Sequence, residues 1–291
     1  MGYKAENAII MAAGTSSRFA PLSYEMPKAL IKVKGEVLIE RQIRQLRKAG
    51  IEEIIIVVGY KKKQFSYLKE KFGAVLVENK DYHIRNNNSS IYAARDYLGN
   101  SYICSADNYF VKNPFQAVVE DAYYAAVYAP GPTQEWCMET DSLGYINHVQ
   151  IGGSHAWYML GHVFWNEVFS KKFLEILESV YELPETSNLL WEAIYIQHLD
   201  ELKLKLRKYD ANFIFEFDSL DELRLFDSSY ISDTRSEILK NIALELNCQE
   251  SEITNTVPVR VSSGTEASGF RFTYAREEYA YDYRKKTWRK I

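Results

Sequence analysis

Ala8-Ile9-Ile10-Met11-Ala12-Ala13-Gly14-Thr15-Ser16-Ser17-Arg18 is the stretch whose reading decides the fold. Its first half is apolar without alternation, the pattern of a strand covered on both faces in a parallel sheet. Its second half is small and polar and ends on a cation. Small residues there let the backbone come close to a nucleotide, and successive N–H groups can cradle phosphate oxygens. Ala12, Ala13, Gly14, Thr15 and Ser16 are therefore candidates for nucleotide binding. Met26-Pro27-Lys28-Ala29-Leu30 follows. Arg18 can grip phosphate through two parallel hydrogen bonds. Lys28 is a point charge able to follow negative charge as it shifts between phosphates. Both are candidate catalytic cations. The plain alternative is a strand-to-helix turn with two surface cations. The spacing of small-residue turn, Arg18 and Pro27-Lys28 favours function, and it matches neither a Walker A loop nor a GxGxxG fingerprint.

Outward from this stretch, strands and helices alternate. Residues 37–49 place Leu38, Ile39, Ile43 and Leu46 on one helical face. Residues 53–58 predict a buried strand, 62–71 a helix, 74–77 a strand, 90–98 a helix and 101–104 a strand. Such alternation implies crossovers and a mostly parallel sheet. After residue 122 the spacing predicts strands at 123–129, 135–140, 145–151 and 156–165, then helices at 167–181 and 186–199. Short strands follow at 202–207 and 213–217. Ser219-Leu220-Asp221-Glu222 has the capping-box pattern and predicts a helix start. Residues 227–233 are polar and loop-like. Beyond them Ile238, Ile242, Ala243 and Leu246 form a helical stripe, and 257–261, 269–274 and 279–283 read as strands. The expected fold is α/β: a Rossmann-like, mostly parallel mixed sheet flanked by helices, with a small α+β C-terminal appendage. The expected domains are 1–233 and 234–291.

Composition excludes several classes of function. The 291 residues carry a net charge of −4, in which nothing suggests an electrostatic footprint for nucleic acid. Cys104, Cys137 and Cys248 form no CxxC pair, which leaves neither a disulfide framework nor a cysteine zinc site. Free thiols in a reducing cytosol are expected. No signal peptide and no membrane span is expected, and the predicted location is the cytoplasm. His83, His148, His155, His162 and His198 show no metal-binding spacing, and no nucleophile elbow is present.

The opening loop resembles that of the sugar-phosphate nucleotidyltransferase superfamily, which begins with Gly-x-Gly-[Ser/Thr]-Arg and continues to a Pro-Lys pair. The chain is most similar to the bacterial CTP:phosphocholine cytidylyltransferases. The resemblance runs from about residue 6 to residue 227. It includes Asn86-Asn87, Ser90-Ile91-Tyr92, Ser105-Ala106-Asp107-Asn108-Tyr109, Glu135-Trp136, Trp191-Glu192 and Glu216-Phe217-Asp218-Ser219. One departure stands out: Ser16 occupies the place of the usual second glycine, which leaves the fine shape of the loop open. The resemblance implies the nucleotide-diphospho-sugar transferase fold and a Mg2+ ion held by Asp107 and Asp218. It also implies nucleotide contacts from Asn87, Ser90 and Ala106.

The residues themselves leave alternatives. Asp107 sits after an apolar strand, the ligand-binding end of an open parallel sheet. Carboxylates with water and phosphate suit magnesium. Asp107-Asn108 could equally cap a turn, and Asp218 or Ser219 the next helix. Amides and hydroxyls at Asn86, Asn87 and Ser90 suit a cytosine edge and ribose, but alone they read as a loop and helix start. Aromatic faces with nearby carboxylates recognise a quaternary ammonium. Trp136, Trp191, Glu192 and Glu216 are the candidates for such a substrate box, with Glu216 two residues before Asp218 on one strand face. The alternative puts the tryptophans in the core, where Trp157 and Trp165 are expected.

The expected reaction is transfer of CMP from CTP to phosphocholine, giving CDP-choline and pyrophosphate. Aminoethylphosphonate, phosphoethanolamine or a sugar phosphate as acceptor, and UTP as donor, are the alternatives within the class. A non-catalytic nucleotide-binding scaffold is the alternative outside it, against which Arg18, Lys28, Asp107 and Asp218 jointly argue. Ile253-Thr254-Asn255, the run from Gly264-Thr265-Glu266 to Phe270, and Tyr279 faintly resemble the opening strands of choline-kinase-like proteins. A truncated remnant, or a packing or homodimerisation module, is expected there, without kinase activity.

Overall fold

The computed structural model describes residues 2–260 and 267–291. Val261 and Gly264-Thr265-Glu266, used above in the strand and kinase-like readings, lie outside the described residues. Packing divides the chain into two units, Met1–Gly14 with Ile39–Glu216 and Thr15–Leu38 with Phe217–Ile291. This division follows contacts, whereas the expected boundary at 233/234 follows the resemblance and the polar loop.

The first unit is built on a seven-stranded sheet. Its strands are β1 (Asn7–Ala12), β2 (Glu53–Val58), β3 (Val75–Glu78), β4 (Ser101–Ser105), β5 (Tyr123–Thr140), β6 (Ile146–Trp165) and β7 (Lys205–Tyr209). Their order is β7-β5-β6-β4-β1-β2-β3. β1 pairs in parallel with both β2 and β4, so Ile9 lies between Ile55 and Ile103. β2–β3 and β5–β7 are also parallel, and β6 runs antiparallel to β4 and β5. Ala8, Ile9 and Ile10 are fully buried, as are Ile55, Ile56 and Val57. Burial on both faces is why these strands read as unbroken apolar runs. Helix α1 (Leu38–Lys48) buries Ile39, Ile43 and Leu46, the predicted stripe. The predicted helices at 62–71 and 90–98 each divide into a 3-10 turn and a helix, α2 (Tyr67–Phe72) and α3 (Asn88–Ala93). Helix α4 (Glu167–Val180) starts at Asn166, whose side chain accepts from Phe169 N, and it buries Phe169, Phe173 and Leu177.

Two larger expectations change in this unit. The four strands predicted between 123 and 165 are two long ones, because the apparent breaks near Pro130-Gly131-Pro132 and Gly152–His155 are register shifts and positive-φ kinks inside a hairpin. The helix predicted over 186–199 shrinks to a 3-10 turn at Pro184–Thr186 and α5 (Trp191–Ile196). The reason is a hydrogen-bond competition with a distant loop. Asn86 donates to Asn188 O at 3.1 Å, Asn88 to Thr186 O at 2.9 Å, and Trp191 N donates to Asn87 at 2.7 Å. Backbone groups that a helix would use are held by three asparagine side chains.

The second unit holds α6 (Leu220–Phe226), α7 (Glu237–Leu246) and an antiparallel sheet of β8 (Thr254–Arg260), β9 (Ala267–Tyr274), β10 (Glu277–Asp282) and β11 (Thr287–Lys290). β11 was not expected, since only Trp288 in it is apolar. Ser219 caps α6 by accepting from Glu222 N at 3.2 Å, while the Glu222 carboxylate reaches Asp218 N at 2.8 Å. The polar stretch 227–233 contains a short helix, Ser229–Ser232. Among the described residues no helix is long and apolar enough to cross a membrane.

Candidate active site

In the first unit the chain leaves β1 through Ala12 and Ala13, both buried. Ala13 O accepts from Tyr60 N at 3.0 Å, which ties the loop to the end of β2. Gly14 is unlike its neighbour Gly59. A Cβ at Gly59 would come within 2.7 Å of the Tyr82 ring, whereas a Cβ at Gly14 meets no heavy atom within 4 Å. Gly14 also lacks a positive φ. Neither crowding within the protein nor backbone conformation demands glycine here. What its missing side chain leaves is open room beside the backbone, where a ligand can approach.

Asp107 lies on the turn after β4. Ala106 is buried and its N–H donates to Met11 O at 3.2 Å, holding the turn against the end of β1. Gln42 of α1 donates to Ser105 O at 2.9 Å and to Asn108 O at 2.8 Å. Asn108 donates to Leu160 O at 2.7 Å. Gln42 and Asn108 are both 1% exposed, so the turn is fixed by buried amides on either side of Asp107. Gln42 was missed by sequence reading. Its only signal is a polar residue inside the apolar stripe of α1.

Glu192, on α5, is buried. Asn87 donates to its Oε2 at 3.1 Å and Tyr124 OH to its Oε1 at 3.2 Å. Tyr124 OH in turn accepts from Gly161 N at 3.1 Å. Burial outweighs these hydrogen bonds and pushes the Glu192 carboxyl up to about 7. Tyr124 is raised well above the ordinary range by burial first, then by the charges of Glu192 and Glu216. Tyr158 is raised by burial, then by Glu135 and Glu216. Three carboxylates thus act on two tyrosines in one region of this unit. Aromatic rings with surplus negative charge are what an organic cation needs. Neither tyrosine stood out in the sequence, because 22 tyrosines dilute any single one.

Several candidates take positions that the sequence did not suggest. Trp191 is fully buried, stacked 5.7 Å from Tyr124 and edge-on to Trp165 at 5.1 Å. It supports Tyr124 from within the core and presents no exposed face. Trp136 is half-buried on β5 and packs against the same core. Both polar ends of the Asn87 amide bind Trp191 N and Glu192, and the Ser90 hydroxyl accepts from Asn79 at 3.2 Å. These contacts anchor Asn87 beside Glu192 and Ser90 beside Asn79. The strand expected to carry Glu216 and Asp218 on one face ends earlier, at Phe215: only Ile214 and Phe215 pair, with Phe110 and Tyr109, before the chain turns to the α6 cap.

In the second unit Ser16 has φ 47 and ψ 41, the left-handed conformation that glycine adopts freely. Serine at the place of the family's usual second glycine thus adopts a left-handed turn. Phe19 N closes that turn onto Ser16 O at 2.9 Å. Arg18 Nη1 lies 2.7 Å from Asp218 Oδ2, with 66% and 37% of the two side chains exposed. An ion pair this open contributes little stability, so its interest lies in holding a guanidinium beside a carboxylate that solvent can reach. Lys28 lies on a 3-10 turn after Pro27, only 6% exposed, with Nζ 5.6 Å from the Phe19 ring centre. Lysine is rarely this buried.

Asp107 in the first unit and Asp218 in the second are each partly exposed carboxylates, a donor type that Mg2+ takes together with water and phosphate oxygens. Among the described residues no cluster of three or more His, Cys, Asp or Glu gathers into a protein-only cage.

The model of the MobA-like NTP transferase domain matches residues 8–199. The choline-phosphate cytidylyltransferase of Streptococcus pneumoniae is 35% identical over 234 residues, covering 80% of this chain and 98% of that protein. The 2-aminoethylphosphonate cytidylyltransferase of Lancefieldella rimae is 39% identical over 234 residues, covering 79% and 95%. The solved structure of CTP:phosphocholine cytidylyltransferase from Streptococcus pneumoniae superposes with a TM-score of 0.74 at 34% identity, over 78% of this chain and 99% of that one. On these matches the chain belongs to the MobA-like NTP transferase family and is a nucleotidyltransferase.

Proposed function

We propose that the protein transfers the cytidylyl group of CTP to a small acceptor with a phosphate at one end and a cation at the other, phosphocholine first, giving CDP-choline and pyrophosphate. The observation that carries this reading is the buried Glu192 carboxyl, held by Asn87 and Tyr124 in a region that also feels Glu135 and Glu216. A carboxyl kept dry beside aromatic rings gains most when a cation arrives, because the incoming charge offsets its desolvation. An acceptor without a cation offers no such gain. The 39%-identical relative, which is named for 2-aminoethylphosphonate, supports that compound as the second acceptor.

In the proposed reaction an anionic oxygen of the acceptor attacks the α-phosphorus of CTP. One P–O bond forms there, the P–O bond to the β-phosphate breaks, and pyrophosphate leaves with the electron pair. The attacking oxygen is already ionised, so no general base is needed. Gly14 and its small neighbours admit the nucleotide to the backbone. Arg18 and Lys28 stabilise charge on the phosphates as it moves toward the leaving group. Asp107 and Asp218 would hold Mg2+, which would supply charge neutralisation to the triphosphate. Ala106 is assigned to the nucleotide side, and Trp136, Glu192 and Glu216 to the acceptor side with Tyr158, while the buried Tyr124 holds Glu192 from the core. Residues 1–233 form the catalytic domain in this proposal, residues 234–291 an appended module, and the cytoplasm is the site of action.

A panel tests it: CTP and UTP, each with phosphocholine, 2-aminoethylphosphonate, phosphoethanolamine and a sugar phosphate, scored by pyrophosphate release. Turnover is expected with CTP and a cationic acceptor. Preference for the sugar phosphate would refute the cation assignment. Nucleotide binding without turnover on any acceptor would favour a scaffold.

A further inference from the structure

We infer that residues 234–291 act as a brace that positions the segment bearing Arg18 and Lys28, with Tyr283 and the start of α7 as its positioning groups. The inference rests on the nucleotidyltransferase reading for the roles of those two cations. Residues beyond 227 lie outside the stretch that carries the family resemblance, so nothing in that resemblance assigns them work.

The contacts all lie within the second unit, which unites Thr15–Leu38 with Phe217–Ile291. β8 packs against the turn Ser17–Phe19, which contains Arg18. Tyr24 stacks on Tyr283 with ring centres 3.7 Å apart and planes 6° from parallel. Tyr283 is 6% exposed and sits beside Phe270 and Tyr281 of the C-terminal sheet, so the sheet supplies a rigid backing for the stack. Next to Tyr24, Glu25 Oε1 accepts from Ile238 N at 3.2 Å, and the same carboxyl takes hydrogen bonds from Ser236 and Glu237 N. A carboxylate there complements the N–H groups at the start of α7. On the far side of Lys28, Arg235 donates to Lys32 O at 2.8 Å while its guanidinium lies 4.1 Å from the Tyr230 ring.

Lys28 is thus bracketed, at residues 24–25 on one side and at 32 on the other, by groups from residues 235–283. Short 3-10 turns such as Lys28–Leu30 have few internal hydrogen bonds to hold them. Their geometry must come from outside, and here the appended module supplies contacts on both sides, alongside Tyr230 OH, which donates to Lys32 O at 2.6 Å, and Asp227, which accepts from Lys34 N at 2.7 Å. This gives the module a use that needs no chemistry of its own.

The test uses the full chain with Tyr283→Ala, Tyr283→Phe and, as a control within the same module, Trp288→Phe. Hydrogen exchange is read on the amides of residues 28–34, and CTP affinity is read by calorimetry without acceptor. Tyr283→Ala should speed exchange and weaken CTP binding by up to about tenfold, the scale of one lost aromatic pair. In turnover the loss should fall on the CTP KM and leave the acceptor KM unchanged. Tyr283→Phe keeps the stack and should match wild type, as should Trp288→Phe. If Tyr283→Ala does not fold, Tyr24→Ala removes the same stack from its more exposed side, at a residue 40% exposed. Unchanged exchange at 28–34, or equal effects from Trp288→Phe, would overturn the brace. A wild-type protein that turns over no acceptor would instead sink the enzymatic reading, leaving the exchange result to judge the brace alone.

Discussion

Replacing Glu192 by glutamine should flatten the pH dependence of stability between about pH 4.5 and pH 7. The folded carboxyl titrates near 7, raised from an ordinary value of 4.5 chiefly by burial. Between those values the folded protein holds a proton that the unfolded chain has lost. Stability then falls as pH rises, because ∂ΔG/∂pH follows the protons bound by the unfolded state minus those bound by the folded state. The contribution is complete below about pH 4.5, declines through pH 7 and is level above it. At about 1.36 kcal/mol per unit, the full span is about 3 kcal/mol. Glutamine cannot ionise, keeps the approximate volume, and can still accept from Asn87. The difference between wild type and Glu192→Gln isolates this carboxyl from other groups that titrate in the same range. Urea unfolding of both proteins from pH 5 to pH 8.5 measures it, and the variant should be the more stable by up to about 3 kcal/mol at pH 8. A cationic acceptor should do the opposite to the wild type, drawing the proton off. Binding calorimetry at pH 6.5 in buffers of different ionisation heat should register proton release with phosphocholine and none with the variant. Parallel stability curves for the two proteins would refute the reasoning, since a carboxyl that titrates alike in both states cannot have been desolvated by the fold.

Three further outcomes are expected. Gly14→Ala should change stability by less than about 0.5 kcal/mol, because the methyl meets no protein atom, yet raise the CTP KM about tenfold or more; an unchanged KM would remove the nucleotide from this loop. Asp107→Ala and Lys28→Ala should each abolish nearly all pyrophosphate release, as should EDTA on the wild type, with circular dichroism unchanged for Asp107→Ala; near-normal turnover in either variant defeats the assignment. Arg224→Ala should destabilise the second unit by about 3 kcal/mol, seen as a melting midpoint several degrees lower. That arginine is 8% exposed and donates to Glu250 O at 2.7 Å and Ile253 O at 2.8 Å, acceptors that alanine would leave unanswered. An unaltered midpoint would show that water replaces the guanidinium without cost.

What the sequence alone determined is local. The apolar run of β1, the stripe on α1, the Ser219 cap and the stripe on α7 all follow from residues a few positions apart, and all are present in the fold. The loop from Gly14 to Lys28, proposed to take the nucleotide, was likewise read from contiguous residues: small ones, then two cations. Tertiary structure decided the rest. Three asparagines at 86–88 unwind a helix predicted a hundred residues away, and Asn87 meets Glu192 across 105 positions. Trp191 goes to the core while Tyr124 holds the carboxyl, a division that no spacing encodes. Gln42 steadies the Asp107 turn from another helix, and the C-terminal sheet packs with residues 15–38. The physical reason is the same in each case. Periodicity and capping depend on neighbours along the chain, whereas desolvation, hydrogen-bond competition and charge coupling depend on neighbours in space, which only the completed fold supplies.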